Sequence, residues 1–150
     1  MKMKLMVASL VCASSMFADM VVSPNALPQK AQEFLNTHFK GVNVGYVKQD
    51  VDSYEVNLVD GTEIDFIING DWKEVDGKYK AIPTGFIPKE VIAKVQAAQP
   101  NAAIVEVDKK INGYKFRTNN MMEIYTDFKG NILGQNLMIN HLNQTLRFGY

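Results

Sequence analysis

The sequence aligns with itself at an offset of 60 residues without a gap, and this constrains the possible folds more than any other feature of the chain. Leu27-Pro28 falls on Ile87-Pro88, Val44 on Ile104, Val47 on Val107, Tyr54 on Tyr114, Glu63-Ile64 on Glu123-Ile124 and Gly70 on Gly130. A repeated unit must keep its residues at turns and core positions, and those are the positions that match. Two units follow, residues 27–80 and 87–136.

Each unit opens with a helix. In the first, Pro28 suits the first helical position, Ala31, Phe34, Leu35 and His38 recur at helical spacing, and Gly41 supplies a stop. In the second, Pro88 starts the helix, Val91, Val95 and Ala98 form its stripe, and Pro100 ends it. Beyond the helix the period falls to two, through Val42, Val44 and Tyr46, then Tyr54, Val56 and Leu58, then Thr62, Ile64, Phe66 and Ile68. Asp60-Gly61 and Asn69-Gly70 punctuate these runs, and both dipeptides favour the positive-φ turns of hairpins. An antiparallel meander is expected, with a short fourth strand around Trp72 to Val75; the second unit repeats the plan through 104–107, 114–118, 122–128 and 132–133.

A unit of roughly 50 residues buries little on its own, whereas two side by side can share a core. The expected fold class is therefore α+β: two tandem helix-plus-antiparallel-meander units, both helices on one face of a continuous or abutting sheet. Residues 76–86, with Pro83 and Gly85, connect the units. Residues 137–150 form a tail in which Leu137, Ile139, Leu142 and Leu146 fit either a strand or a helix.

Residues 1–18 read as an export signal. Lys2 and Lys4 form a charged start, Leu5 to Ala13 a short apolar run, and small residues follow, so cleavage is expected after Ala18 or Ser15. The apolar run is shorter than the ~20 residues of a membrane span, and no other segment approaches that length. The single cysteine, Cys12, lies in this leader, and the branched Val11 before it argues against lipoprotein processing. The exported chain thus carries no thiolate nucleophile, thiolate ligand or disulfide. Residues 19–26 are expected to be a linker. With Lys2 and Lys4 removed, 14 basic residues face 16 acidic ones, which offers no electrostatic footprint for nucleic acid.

One family shares these features. The leader, the Leu-Pro-started helix ending in Thr37-His38-Phe39, the stretches Tyr46-Val47-Lys48 and Tyr54-Glu55-Val56, then Asp60-Gly61-Thr62-Glu63-Ile64-Asp65-Phe66 and Gly70-Asp71-Trp72-Lys73-Glu74-Val75 resemble the PepSY-like proteins, also called β-lactamase-inhibitor-like. The second unit departs from the pattern where Met121-Met122 replaces Gly61-Thr62 and Ile132 replaces Trp72. The resemblance implies a periplasmic protein of tandem α+β repeats, with helices on one side of a sheet whose other side is free. It implies no cofactor, and a role in binding or restraining other proteins. No inhibitory contact motif is present to carry over, and fold alone does not assign function.

If Tyr54, Val56, Leu58, Ile64, Phe66 and Ile68 face the helices, then Glu55, Asn57, Glu63, Asp65 and Ile67 face away, joined in the second unit by Lys115, Arg117, Asn119, Glu123, Tyr125 and Asp127. A protein or peptide contact is expected on this free face through Glu55, Glu63, Asp65, Lys115, Arg117 and Tyr125, with Tyr46 and Trp72 at its margin, because aromatic residues and arginine dominate interface energies. The simpler alternative is a solvated face of cross-strand ion pairs.

Other chemistries are less well served. Glu63 and Asp65 project together and could act as a hydrolytic carboxylate pair, but no nucleophile or base partner accompanies them. Asp50, Asp52 and Glu55 lack the spacing of a calcium loop. Met121, Met122, Met138 and His141 could suit a soft metal, making an envelope small-ligand or metal carrier the second function class, although core filling accounts for methionine as well. His38 sits on the helix stripe. An exposed edge of the sheet leaves room for a homodimer.

Overall fold

The structure is a computed structural model that describes residues 20–138. Along the chain come β1 (Met20–Val22), a 3-10 turn (Pro24–Ala26), α1 (Gln29–His38), β2 (Val44–Gln49), β3 (Ser53–Leu58), β4 (Glu63–Ile67) and β5 (Trp72–Asp76). There follow α2 (Lys89–Ala98), β6 (Ile104–Lys110), β7 (Gly113–Thr118), β8 (Met122–Asp127) and β9 (Ile132–Leu137). The nine strands among the described residues form one antiparallel sheet in sequence order. The protein is thus α+β, and the order of one helix followed by four strands occurs twice. The leader and the residues after Met138 lie outside the described residues.

Pro28 and Pro88 stand just before their helices, where a missing N–H is harmless, and their carbonyls accept from Ala31 and Gln32 and from Val91 and Ile92. The helices bury Ala31 and Leu35, and Val91, Ile92 and Val95, against a single core that also holds Val56, Ile64, Phe66, Val107, Phe116 and Ile124. Both helices therefore cover the same face. Phe66 and Phe116 are fully buried, each contributing about 3 kcal/mol of transfer free energy. The Asn69-Gly70 and Lys129-Gly130 turns bring glycine against the first turn of each helix. Gly70 has φ +88° and a Cβ there would lie 2.9 Å from Pro28 Cβ; Gly130 has φ +78° and would meet Val91 Cα at 2.8 Å. Both positions require the absence of a side chain.

The structure departs from the sequence reading in several places. Residues 20–22, expected as linker, form β1 on β2. The first strand of the meander runs Val44–Gln49 instead of alternating through Val42, Val44 and Tyr46, because a bulge at Gly45 turns Tyr46 outward and lets Val47 take the core position. Ile68, expected inside, lies beyond β4 and is 46% exposed. The last strand extends to Leu137, past the expected 132–133.

Candidate functional site

The sheet face away from the helices carries side chains in two transverse rows, each residue directly opposite the next across the strand boundary. One row runs Lys48, Glu55, Asp65, Glu74, Asp108, Lys115, Tyr125; the other runs Tyr46, Asn57, Glu63, Asp76, Glu106, Arg117, Glu123. Directly opposed residues have Cβ atoms about 5 Å apart, so each row is a chain of touching neighbours.

The second row is electrostatically closed. Arg117 reaches Asp76 at 2.8 Å and Glu106 at 2.5 Å, and donates to the Lys78 carbonyl at 3.0 Å. Lys78 adds ion pairs to Asp76 at 2.9 Å and Glu63 at 3.2 Å. Lys115 reaches across from the first row to Glu106 at 3.4 Å and Glu123 at 3.8 Å. Burial opposes ionisation of Asp76, yet its bonds from Lys78 hold its pKa below the ordinary value. Burial also works against the charge on Lys115, but Glu106 and Glu123 keep its pKa raised.

The first row is not closed. Four carboxylates stand in succession, Glu55, Asp65, Glu74 and Asp108, on four adjacent strands. The ends are paired: Lys48 with Glu55 at 2.8 Å and Lys110 with Asp108. Asp65 and Glu74 in the middle make no salt bridge among the described residues. Burial, together with the charges of Asp108, Glu106 and Asp65, pushes Glu74 up to about 6. Burial and the neighbouring Glu63 also raise Asp65. Like charges directly opposed on a sheet destabilise it, so this stretch is a local electrostatic cost. A shallow depression of about 100 Å³, lined by Lys48, Asp50, Ser53, Tyr54, Glu55 and Asp65, lies beside it. Carboxylate oxygens of Glu74, Asp76 and Glu106 lie within 4.8 Å of one another.

Of the residues the sequence assigned to this face, Glu55, Glu63, Asp65, Lys115, Arg117 and Tyr125 are brought together in the two rows, and Tyr46 opens the second, 43% exposed with the Lys48 ammonium 5.5 Å from its ring centre. Trp72 is a correction. A bulge between Asp65 and Phe66 pairs Trp72 with Phe66 and turns it to the helix side, where it meets Phe34, Phe86 and Tyr114 with ring centres 6.4, 5.0 and 6.2 Å away. The sequence reading passed over Lys48, Glu74, Asp76, Glu106 and Asp108, although Glu74 with Asp76 and Glu106 with Asp108 show the period of two that marks one face.

The remaining candidates are dispersed. Glu63 and Asp65 fall in different rows, with Glu63 paired to Lys78, and the face around them is open. Met121 sits in a turn at φ +66°, Met122 is half-buried on β8, Met138 follows β9, and His141 lies outside the described residues. Asp50 accepts the Val51 N–H at 2.6 Å within its own turn. His38 packs between the rings of Phe34 and Phe86, where burial lowers its pKa.

The profile of the family described as "Putative beta-lactamase-inhibitor-like, PepSY-like" matches residues 52–134, more than half of the chain. The chain belongs to the PepSY-like family. Three Bacteroides crystal structures share the PepSY-like fold seen here. The "putative calcium-regulated periplasmic protein" of Bacteroides thetaiotaomicron is 29% identical with a TM-score of 0.74, covering 79% of this chain and 96% of that one. A periplasmic protein of the DUF2874 family from Bacteroides vulgatus is 30% identical with a TM-score of 0.73, over 79% and 96% of the two chains. A second Bacteroides vulgatus periplasmic protein, of unknown function, is 32% identical with a TM-score of 0.73, over 79% and 99%. No curated protein matches the chain in sequence.

Proposed function

We propose that this PepSY-like chain is an exported periplasmic binding module, built from two tandem helix-plus-meander units, that receives a positively charged protein or peptide segment on its open sheet face. The observation that carries this reading is the unbroken run Glu55, Asp65, Glu74, Asp108, whose two central carboxylates make no salt bridge among the described residues and feel lysines only at longer range. A lysine or arginine of a partner laid across the row would relieve the like-charge opposition and draw the Glu74 pKa back down. Binding energy thus comes in part from a cost already present in the free protein. Tyr46, Tyr125 and the apolar stem of Lys48 offer contact area at the two ends of the rows. The periplasmic location rests on the leader and on the periplasmic neighbours. The test is calorimetric titration with a lysine- and arginine-rich peptide at low and moderate salt, against a variant carrying Asp65→Asn and Glu74→Gln. Saturable binding weakened at least tenfold in the variant supports the reading; equal binding by both proteins overturns it.

Calcium is the second reading, favoured by the convergence of Glu74, Asp76 and Glu106 oxygens and by the description of the Bacteroides thetaiotaomicron neighbour. The donor chemistry fits a hard cation, which takes six to eight oxygens. The surroundings fit less well, since Arg117 already neutralises Asp76 and Glu106. A saturable rise in melting temperature with calcium, abolished by Glu74→Gln, would favour this ligand over the peptide.

A further inference from the structure

The two edges presented by β5 and β9 differ in what they meet. At the end of β5, Gly77 donates its N–H to the Val105 carbonyl at 2.8 Å, so that strand passes its second edge to β6. Just beyond β9, Met138 donates to the carbonyl of Met121, in the turn before β8, at 2.9 Å. Peptide groups alternate sides along an antiparallel strand, so Asn136 and Gly134 turn with Met138 toward β8, while Gln135 and Leu137 turn their N–H and C=O groups outward. Among the described residues no strand follows β9 in the sheet.

Among the described residues this edge is guarded only by the bulge near Leu133. Ile132–Leu137 contains no charge and no proline, the usual guards against edge pairing. The strand and its adjoining turns also concentrate exposed apolar groups, with Met121 at 38%, Phe128 at 44%, Ile132 at 38%, Leu133 at 67% and Leu137 at 36%. The opposite edge, β1, is only three residues long.

We infer that β9 is a dimerisation edge, pairing antiparallel with β9 of a second copy about a two-fold axis at Asn136. In that register Gln135 of each chain exchanges two peptide hydrogen bonds with Leu137 of the other, and the bulge near Leu133 is left undisturbed. The two Asn136 side chains meet on the open face, and they separate the nearest like charges, the two copies of Glu123, by both edge strands. An isologous contact of this kind closes on itself and forms no filament. Its short span buries less than the ~1,600 Å² of a standard interface. This pairing is independent of the ligand of the open face.

The test uses the exported protein as purified from the periplasm. Sedimentation velocity from about 5 to 500 μM reads the mass, and Gln135→Pro removes one outward N–H at a position where an edge strand tolerates proline. A concentration-dependent dimer that becomes monomeric in Gln135→Pro is expected. Asn136→Cys then places two thiols across the axis at a non-hydrogen-bonded pair, a separation a disulfide can span. Mild oxidation should give a covalent dimer from Asn136→Cys and none from Val21→Cys on the opposite edge. A native monomer at every concentration, a dimer that survives Gln135→Pro, or no cross-link through Asn136→Cys overturns the inference. The last pattern with a monomer is the one expected if the chain's own residues after Met138, or an extended peptide, fill the edge.

Discussion

Replacing Glu74 by glutamine should make the protein more stable at neutral pH, although it deletes a charge from a largely charged face. Glu74 stands between Asp65 and Asp108 and its pKa is pushed from 4.5 up to about 6. A group whose folded pKa lies above its unfolded value binds its proton more tightly in the native state, so unfolding free energy falls as pH rises from about 4.5 to about 6 and stays low above that. The shift of about 1.5 units corresponds to about 2 kcal/mol at 1.36 kcal/mol per unit, which solvent screening of a half-buried group reduces to about 1 kcal/mol. Glu74→Gln removes this cost, and an increase of about 1 kcal/mol at pH 7.5 should raise the melting temperature by about 3 °C. Urea unfolding of both proteins at intervals from pH 4 to 8 measures it, with the difference largest above pH 6 and vanishing near pH 4. The reasoning fails if Glu74→Gln is no more stable than the native protein at pH 7.5, or if the gain is the same at every pH.

Arg117→Ala should cost about 3 kcal/mol by chemical unfolding, because it strands the buried Glu106 and half-buried Asp76 without their guanidinium; Arg117→Lys should recover only part of this, since an ammonium cannot span both carboxylates. Gly130→Ala should cost about 2 kcal/mol or more, a strained φ of +78° adding to a 2.8 Å approach to Val91 Cα. Trp72→Phe should leave peptide binding by the open face unchanged in calorimetry, because the indole lies on the helix side of the sheet.

The architecture was legible because the self-match at 60 residues marks the turns and core positions that fix a meander. Residues 29–38 and 89–98 form helices of equal length at that offset, and the strands after them keep the same order. Side-chain direction was less legible where the ladder is irregular. Bulges fall between Val44 and Tyr46 and between Ile104 and Glu106, then between Asp65 and Phe66 and between Tyr125 and Thr126. Each shifts the alternation by one residue and so reverses every direction read beyond it. Gly45 signalled the first of these. Nothing in Trp72-Lys73-Glu74 signals the bulge that turned Trp72 to the helix side.

The candidate site was hidden for a different reason: it is assembled from strands on both sides of α2. Asp65 and Glu74 come from the strands before α2, and Asp108 from the strand after it, brought opposite Glu74 by the pairing of β5 with β6. Arg117 likewise crosses that junction to hold Asp76. The acidic run is also not matched at the 60-residue offset, for the positions 60 residues beyond Glu55, Asp65 and Glu74 hold Lys115, Tyr125 and Gly134. The core-facing positions Tyr54, Val56 and Ile64 correspond instead to Tyr114, Phe116 and Ile124, all apolar or aromatic. At that offset the inner face therefore keeps what the fold requires, while the outer face differs at the positions of the acidic run. If Glu74→Gln proves the more stable protein, folding alone does not account for the opposed carboxylates, and the binding role proposed above does.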